Sequence, residues 1–171
     1  VTNGAILMRT MCLALLLCGS TSASESSNPL IDEVQFLADA SAAMDERAQR
    51  RIDQETFAQM AAEPGTVVLD ARSAQAYALT HVKGAINLPF TDFTAQTLAQ
   101  HIPSPQTRVL IYCNNNFLDS PRAFATKAPA ASLNLSTFTA LRSYGYQNVY
   151  ELGELISVHQ SRLELVGAER Q

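Results

Sequence analysis

The chain has 171 residues, of which 47% are hydrophobic and 16% charged, with a net charge of −4. This composition is typical of a packed globular protein, and the length suits one domain. The sequence lacks the basic surplus of nucleic-acid-binding proteins, so we expect no nucleic-acid partner. The three cysteines and three histidines are too scattered to predict a metal site, and we expect no cofactor.

The N-terminal segment has the three parts of a secretory signal peptide. Arg9 precedes a short apolar run, which is followed by small polar residues up to Ala23. The apolar run is shorter than the about 20 residues of a permanent transmembrane helix, so no such span is expected. We predict a signal peptide over residues 1–23 and a periplasmic or secreted protein. A lipoprotein anchor at Cys18 is an alternative, although Leu17 is bulky where a small residue normally precedes a lipidated cysteine.

Residues 24–50 are predicted to form a polar leader and an extra N-terminal helix. Apolar residues recur at near-helical spacing over residues 30–51, with charged residues between them. We expect this amphipathic helix to pack loosely on the surface of the main domain. A second helix, over residues 54–62, is expected to end at the Pro64-Gly65 pair.

Short apolar runs that are rich in β-branched residues predict three strands, at residues 66–70, 84–89 and 108–113. Continuous apolar runs are typical of strands buried on both faces, as in a parallel sheet covered by helices. A clear helix is predicted over residues 133–144 and a last strand over 147–150, whereas residues 154–171 are predicted to form a terminal helix. Because strands alternate with helices, the sequence predicts an α/β fold.

Cys113 ends the third apolar run, and Asn114, Asn115 and Asn116 follow it. Open parallel sheets bind ligands beyond the carboxyl ends of their strands. Asparagine tolerates left-handed backbone angles, so the run suits a tight loop whose N–H groups point inward as an anion cradle. Once residues 1–23 are removed, Cys113 is the single cysteine, which favours a reactive thiol. The alternative is an inert cysteine at the end of a core strand.

The chain resembles a single-domain rhodanese in four successive segments. They lie at residues 67–73 (VVLDARS), 77–89 (YALTHVKGAINLP), 109–113 (VLIYC) and 141–152 (LRSYGYQNVYEL). The resemblance covers about residues 51–152 and implies a central parallel sheet flanked by helices, with the cysteine opening a loop that leads into a helix. It therefore delimits a rhodanese-like domain over residues 51–153, with residues 154–171 as a C-terminal extension.

The resemblance also implies an activity and a role for individual residues. Cys113 would accept a sulfane sulfur as a persulfide and pass it on, as in a thiosulfate sulfurtransferase. Asp70 and Arg72 match the family's strand-end Asp-x-Arg, which supports the site rather than reacting, and His81 matches a mostly structural histidine. The implied partners are a small donor, such as thiosulfate or a persulfide, and a thiol acceptor or partner protein.

The segment after the cysteine departs from the family pattern. A typical member has a short loop rich in glycine and basic residues there, whereas residues 114–118 contain neither glycine nor charge, and the following stretch is longer than usual. Arg122 or Lys127 from this stretch is a candidate for the missing positive charge, and Phe117 and Leu118 are candidates for a lid over the sulfur. The candidate substrate-binding residues are Asn114, Asn115, Asn116, Phe117, Leu118, Arg122 and Lys127.

These departures leave two functions open. The first is an exported sulfurtransferase that acts through a Cys113 persulfide. The second is a catalytically weak rhodanese-like binding module, in which the long loop recognises a partner protein or a small anion.

Overall fold

The computed structural model describes residues 28–170. The predicted signal peptide and the alternative lipid anchor at Cys18 lie outside these residues. The chain divides into two compact units, residues 1–32 and 33–171, and every helix and strand described here belongs to the second. Within residues 28–170, no helix is both long enough and apolar enough to cross a membrane.

The described residues contain five α-helices and nine strands. The helices are α1 (Glu33–Arg50), α2 (Gln54–Ala62), α3 (Ala74–Leu79), α4 (Ala95–His101) and α5 (Leu133–Ser143). The strands are β1 (Arg51–Ile52), β2 (Thr66–Asp70), β3 (His81–Val82), β4 (Ile86–Asn87), β5 (Arg108–Tyr112), β6 (Phe117–Leu118), β7 (Val149–Leu152), β8 (Ile156–Ser157) and β9 (Leu165–Val166).

Five of these strands form a parallel sheet in the order β1-β7-β5-β2-β4. Side chains of the central strand β5 alternate between two core clusters: Leu110 and Tyr112 pack with Phe57 of α2, whereas Val109 and Ile111 pack with residues of α5. Both faces of β5 are therefore covered by helices, which explains its unbroken apolar sequence. This confirms the predicted α/β fold with a central parallel sheet flanked by helices.

Helix α1 confirms the expected N-terminal helix, and its second half contacts β7 and α5. Ala43 is completely buried, and Arg47 forms an ion pair of 2.6 Å with Glu151 of β7. The Ser143 hydroxyl of α5 donates a hydrogen bond of 2.5 Å to Asp39. Val34, Phe36 and Leu37 are exposed, so the expected loose packing applies to the first turns of α1 and not to the end that carries Arg47.

The prediction of a helix in residues 154–171 was also wrong. The segment forms β8, which pairs in parallel with β6, and β9, which pairs antiparallel with β3, followed by a 3-10 turn. Gly167 has a φ of 135°, and a Cβ atom there would lie 2.5 Å from the carbonyl oxygen of Leu79. Only glycine permits this close approach, which brings the C-terminal segment against the end of α3.

Candidate functional site

Cys113 directly follows β5, next to the end of β2. Tyr112 and Asp70 are Cα partners in the pairing of these two strands, so both strands end at the same edge of the sheet. The Cys113 side chain is 1% exposed, and its Sγ atom lies 3.4 Å from Oγ of Ser132. Ser132 is the N-cap of α5, but its hydroxyl makes no capping hydrogen bond. The thiol therefore faces a hydroxyl group at the amino end of a helix.

Asn116 fixes the backbone around Cys113. Its Oδ1 atom accepts a hydrogen bond of 2.9 Å from the Cys113 N–H, and its Nδ2 atom donates to the carbonyl groups of Leu152 (2.8 Å) and Glu154 (3.0 Å). Asn134 Nδ2 donates a further bond to Asn116 Oδ1. One buried side chain thus joins the end of β5 to the end of β7 and to α5.

The three asparagines form a 3-10 turn. The N–H groups of Asn116 and Phe117 donate to the carbonyl groups of Cys113 and Asn114, so they are not available to an anion. The expected left-handed backbone is absent from the asparagines, and within residues 28–170 the single non-glycine residue with positive φ is Asp119, at 67°. The N–H groups of Asn116 and Phe117 are therefore not free for the expected cradle, and the Asn115 and Asn116 side chains bond to other parts of the chain.

The cysteine loop comprises residues 113–118, and the insertion comprises residues 119–132. Asn115 holds the insertion against the cysteine loop. Its amide group donates a hydrogen bond to the Lys127 carbonyl group and accepts one from the Lys127 N–H, each of 2.9 Å. Within the described part of the chain, the Lys127 ammonium group has no ion-pair partner. Arg122, by contrast, is paired with Glu169 at 3.2 Å. Of the two candidate cations, Lys127 is the one whose charge is not offset.

A cavity of about 480 Å³ adjoins the cysteine loop. Asn114 and Leu133, which directly follow Cys113 and Ser132 in the chain, both line it, whereas Cys113 and Ser132 themselves do not. Lys127 and Asp92 line the same cavity, together with apolar atoms from residues such as Phe90. Arg72 also lines the cavity but is paired with Asp70, so Lys127 and Asp92 are the charged lining residues that have no ion-pair partner within residues 28–170.

Asp70, Arg72 and Tyr112 form a buried network beside the cysteine loop. Arg72 donates to Asp70 from Nε (2.9 Å) and Nη2 (2.5 Å), and the Tyr112 hydroxyl donates to Asp70 at 2.6 Å. Burial, reinforced by the Asp70 charge, raises the pKa of Tyr112 well above its ordinary value. Burial opposes the charge on Arg72, but Asp70 outweighs it and raises the pKa of the guanidinium group. Tyr112 and Arg72 therefore keep their protons, and the network holds the ends of two strands.

The remaining candidate residues lie away from the cavity. Phe117 is 1% exposed and packs in the core against Tyr112 and Phe124, at ring-centroid distances of 6.0 and 4.4 Å. Leu118 is exposed and lies in β6, where it pairs with Ser157. His81 stacks on Tyr77, and its Nδ1–H group donates a hydrogen bond of 2.7 Å to the Tyr77 carbonyl group. None of these three side chains lines the cavity.

Sequence reasoning missed Ser132 and Asp92. Ser132 stands immediately before the predicted helix over residues 133–144, and a serine at this position is a usual N-cap signal. That signal predicts a capping hydroxyl, however, and not contact with a thiol. Asp92 lies in a 3-10 turn between β4 and α4, and nothing in its local sequence predicts that it shares a cavity with Lys127.

Comparisons with solved structures find the same fold. The BH2092 protein from Bacillus halodurans is 19% identical with a TM-score of 0.51, and the match covers 78% of this chain and 88% of that one. The solution structure of a rhodanese-like domain from Anabaena sp. is 18% identical with a TM-score of 0.51, over 71% of this chain and 82% of that one. At such identities the likeness concerns the fold alone. A search of curated proteins returned no match.

A family model decides the assignment. The model described as the rhodanese-like domain matches residues 53–154, which is more than half of the chain. This range runs from the N-cap of α2 to just beyond β7 and includes Cys113 and the whole insertion. The chain therefore belongs to the rhodanese-like domain family.

Proposed function

We propose that this protein transfers sulfane sulfur through a persulfide on Cys113, and that it does so after export. The observation that carries the proposal is the position of the thiol. Sγ lies at the carboxyl edge of a parallel sheet, 3.4 Å from the Ser132 hydroxyl at the start of α5. Ligands of parallel sheets bind at this edge, and the fold family includes sulfurtransferases.

The transfer has two balanced steps. The Cys113 thiolate attacks the sulfane sulfur of a donor, a new S–S bond forms on Cys113, and the donor's own bond to that sulfur breaks. The leaving group departs with the electron pair, as sulfite when the donor is thiosulfate. An acceptor thiolate then attacks the outer sulfur of the persulfide and releases Cys113 as a thiolate. Neither step requires an external oxidant or a cofactor.

The surroundings of Sγ support the charges in these steps. The N–H end of α5 carries a partial positive charge, which stabilises nearby anions. Ser132 supplies a hydroxyl group that is not used in helix capping and that therefore remains available to the sulfur. The Asn116 hydrogen bond holds the Cys113 N–H, so the position of the nucleophile is set by β5, β7 and α5 together.

Mass spectrometry of the purified protein tests the proposal. After incubation with thiosulfate or, separately, with inorganic polysulfide, we expect a mass increase of one sulfur atom on Cys113, and we expect thiocyanate when cyanide is the acceptor. Cys113→Ser should abolish both results while circular dichroism stays unchanged, because the hydroxyl is similar in size but far less nucleophilic at neutral pH. Unchanged turnover in Cys113→Ser would rule out the sulfurtransferase function.

The burial of the thiol favours a second candidate, a catalytically weak module in which the insertion recognises a partner protein or a small anion. At 1% exposure, Cys113 is closed to a donor in this conformation. Alkylation of the folded protein with iodoacetamide separates the two candidates. Modification of Cys113 at a rate well above that of global unfolding supports catalysis, and protection up to the unfolding rate supports the binding module.

Export is proposed from the sequence between Arg9 and Ala23. N-terminal sequencing of the protein recovered from the cell envelope should find a chain that begins at Ser24. An intact leader on protein from the cytosol would contradict export. A lipid on Cys18 would show that the protein is exported as a lipoprotein rather than released by cleavage after Ala23.

A further inference from the structure

Apart from Arg72, whose charge is offset by Asp70, the cavity beside the cysteine loop is lined by two opposite charges that do not neutralise each other. Lys127 and Asp92 both line it, and within residues 28–170 neither has an ion-pair partner. Its volume of about 480 Å³ falls within the range of about 300–1,000 Å³ that is usual for small-molecule sites. Two separate charges of opposite sign match a ligand that carries one of each.

We propose that this cavity binds a zwitterionic sulfur amino acid, and that the sulfur donor is cysteine persulfide. The inference rests on the proposed function of Cys113. Lys127 binds the carboxylate and Asp92 binds the ammonium group of the donor, while its short side chain points to the wall formed by Asn114 and Leu133. Cys113 and Ser132 directly precede these two residues in the chain, so the donor sulfur would approach Sγ from this side.

The charge on Asp92 argues against an inorganic dianion as the preferred donor. Thiosulfate would gain an attraction to Lys127 but would meet a repulsion of similar size from Asp92. A zwitterion gains from both groups. Asn115 fixes the backbone of Lys127 through two hydrogen bonds of 2.9 Å, and this keeps the base of the lysine side chain at the cavity.

The chemistry of the step is balanced without a co-reactant. The Cys113 thiolate forms a bond to the terminal sulfur of the donor, and the S–S bond of the donor breaks. Cysteine leaves as its thiolate and takes up a proton from water, and the sulfur remains on Cys113 as a persulfide. One S–S bond breaks and one forms, so the step involves no net oxidation or reduction.

The Asp92→Asn variant tests this proposal, because its kcat/KM should change in opposite directions for cysteine persulfide and for thiosulfate. With cysteine persulfide, we expect kcat/KM to fall about ten- to a hundred-fold, the value of one charge-assisted contact. With thiosulfate it should rise, because the repulsion is removed. With N-acetylcysteine persulfide, which lacks the ammonium group, it should not fall. Asp45→Asn, which changes an exposed carboxylate on α1 outside the cavity, should alter none of the three rates.

A binding measurement keeps this inference separate from the proposed function. The unreactive zwitterion S-methylcysteine should bind Cys113→Ser, as measured by calorimetry, and binding should weaken when Asp92→Asn or Lys127→Gln is added. If Asp92→Asn changes both donors in the same direction, or if S-methylcysteine does not bind, the amino-acid site is wrong. If S-methylcysteine binds but no donor loads Cys113 of the native protein, the site stands and sulfur transfer is wrong.

Discussion

The side-chain amide of Asn115 pairs with the backbone of Lys127 as one strand pairs with another, through one donated and one accepted hydrogen bond, each of 2.9 Å. The two residues are separated by most of the insertion, so this contact closes the insertion into a loop against the cysteine. The second asparagine after Cys113 therefore acts on the conformation of the insertion, and the insertion in turn carries the lysine of the cavity.

Lys127 and Arg122 are expected to differ in their contribution to anion binding. Lys127→Ala should raise KM for thiosulfate by about ten- to a hundred-fold, because a charge-assisted contact is lost. Arg122→Ala should change KM by less than about two-fold, since Glu169 already offsets this exposed charge. Steady-state kinetics over a range of salt concentrations provides the measurement. A larger effect for Arg122→Ala would assign the cation of the site to Arg122 instead.

Replacement of Asn116 should destabilise the protein and impair sulfur transfer together. Asn116→Ala leaves the Cys113 N–H and two carbonyl groups without their partner, which should lower the free energy of unfolding by about 3 kcal/mol. Asn148→Ala is the matched control, because its single bond to the Gln106 carbonyl group is exposed and should contribute at most about 1 kcal/mol. Urea denaturation gives both values, and equal losses in the two variants would contradict the role of Asn116.

The buried network at the ends of β2 and β5 predicts an order of stabilities. Asp70→Asn leaves the buried Arg72 charge uncompensated and should cost about 3–5 kcal/mol in free energy of unfolding. Tyr112→Phe removes the bonds of one hydroxyl group, to Asp70 and from Val82, and should cost about 1–3 kcal/mol.

An exposed ion pair supplies the control for this order. Lys83→Gln breaks the exposed pair with Glu164 and should cost less than about 1 kcal/mol. All three values come from urea denaturation at one pH. A loss for Asp70→Asn no greater than that for Lys83→Gln would show that the network does not hold the strand ends.

Glu151 predicts a pH dependence of stability. Burial raises the pKa of Glu151 above its ordinary value of 4.5, although Arg47 acts in the opposite direction. The folded protein therefore holds this proton at pH values where the unfolded chain has lost it. As the pH rises from about 4.5 through the folded pKa, the free energy of unfolding falls and then becomes level.

Comparison with Glu151→Gln isolates this effect. The stability of the native protein relative to the variant should decrease with rising pH in that window, as measured by thermal or urea unfolding at several pH values. Arg47→Gln should extend the decrease to higher pH, because it removes the charge that lowers the Glu151 pKa. A relative stability that increases across the window would contradict the assignment.

The sheet could be predicted from the sequence because its signals are local. Unbroken β-branched runs such as 108–113 occur where both faces of a strand are covered, and a helix pattern ending at Gly145 marks α5. The two-residue strands β6, β8 and β9 have no such signal, since their pairing depends on segments that are distant in sequence. For this reason, the prediction of a C-terminal helix over residues 154–171 was wrong.

The candidate site could be predicted only in part. Cys113 follows from its place at the end of a strand, and the structure brings Asn114 and Lys127 to one cavity beside it. The burial of Phe117 and the pairing of Arg122 with Glu169 depend on the path of the insertion and on the C-terminal segment. Asp92 and Ser132 are distant in sequence from the site residues that they adjoin, so local sequence patterns do not identify them.

The insertion contributes to the interior as well as to the surface. Arg72 donates a hydrogen bond of 2.8 Å to the Ala123 carbonyl group and lies 4.2 Å above the ring of Phe124, and both insertion residues are buried. Deletion of residues 119–132 would therefore leave a cavity in the core and would remove two contacts of the buried Arg72 guanidinium group.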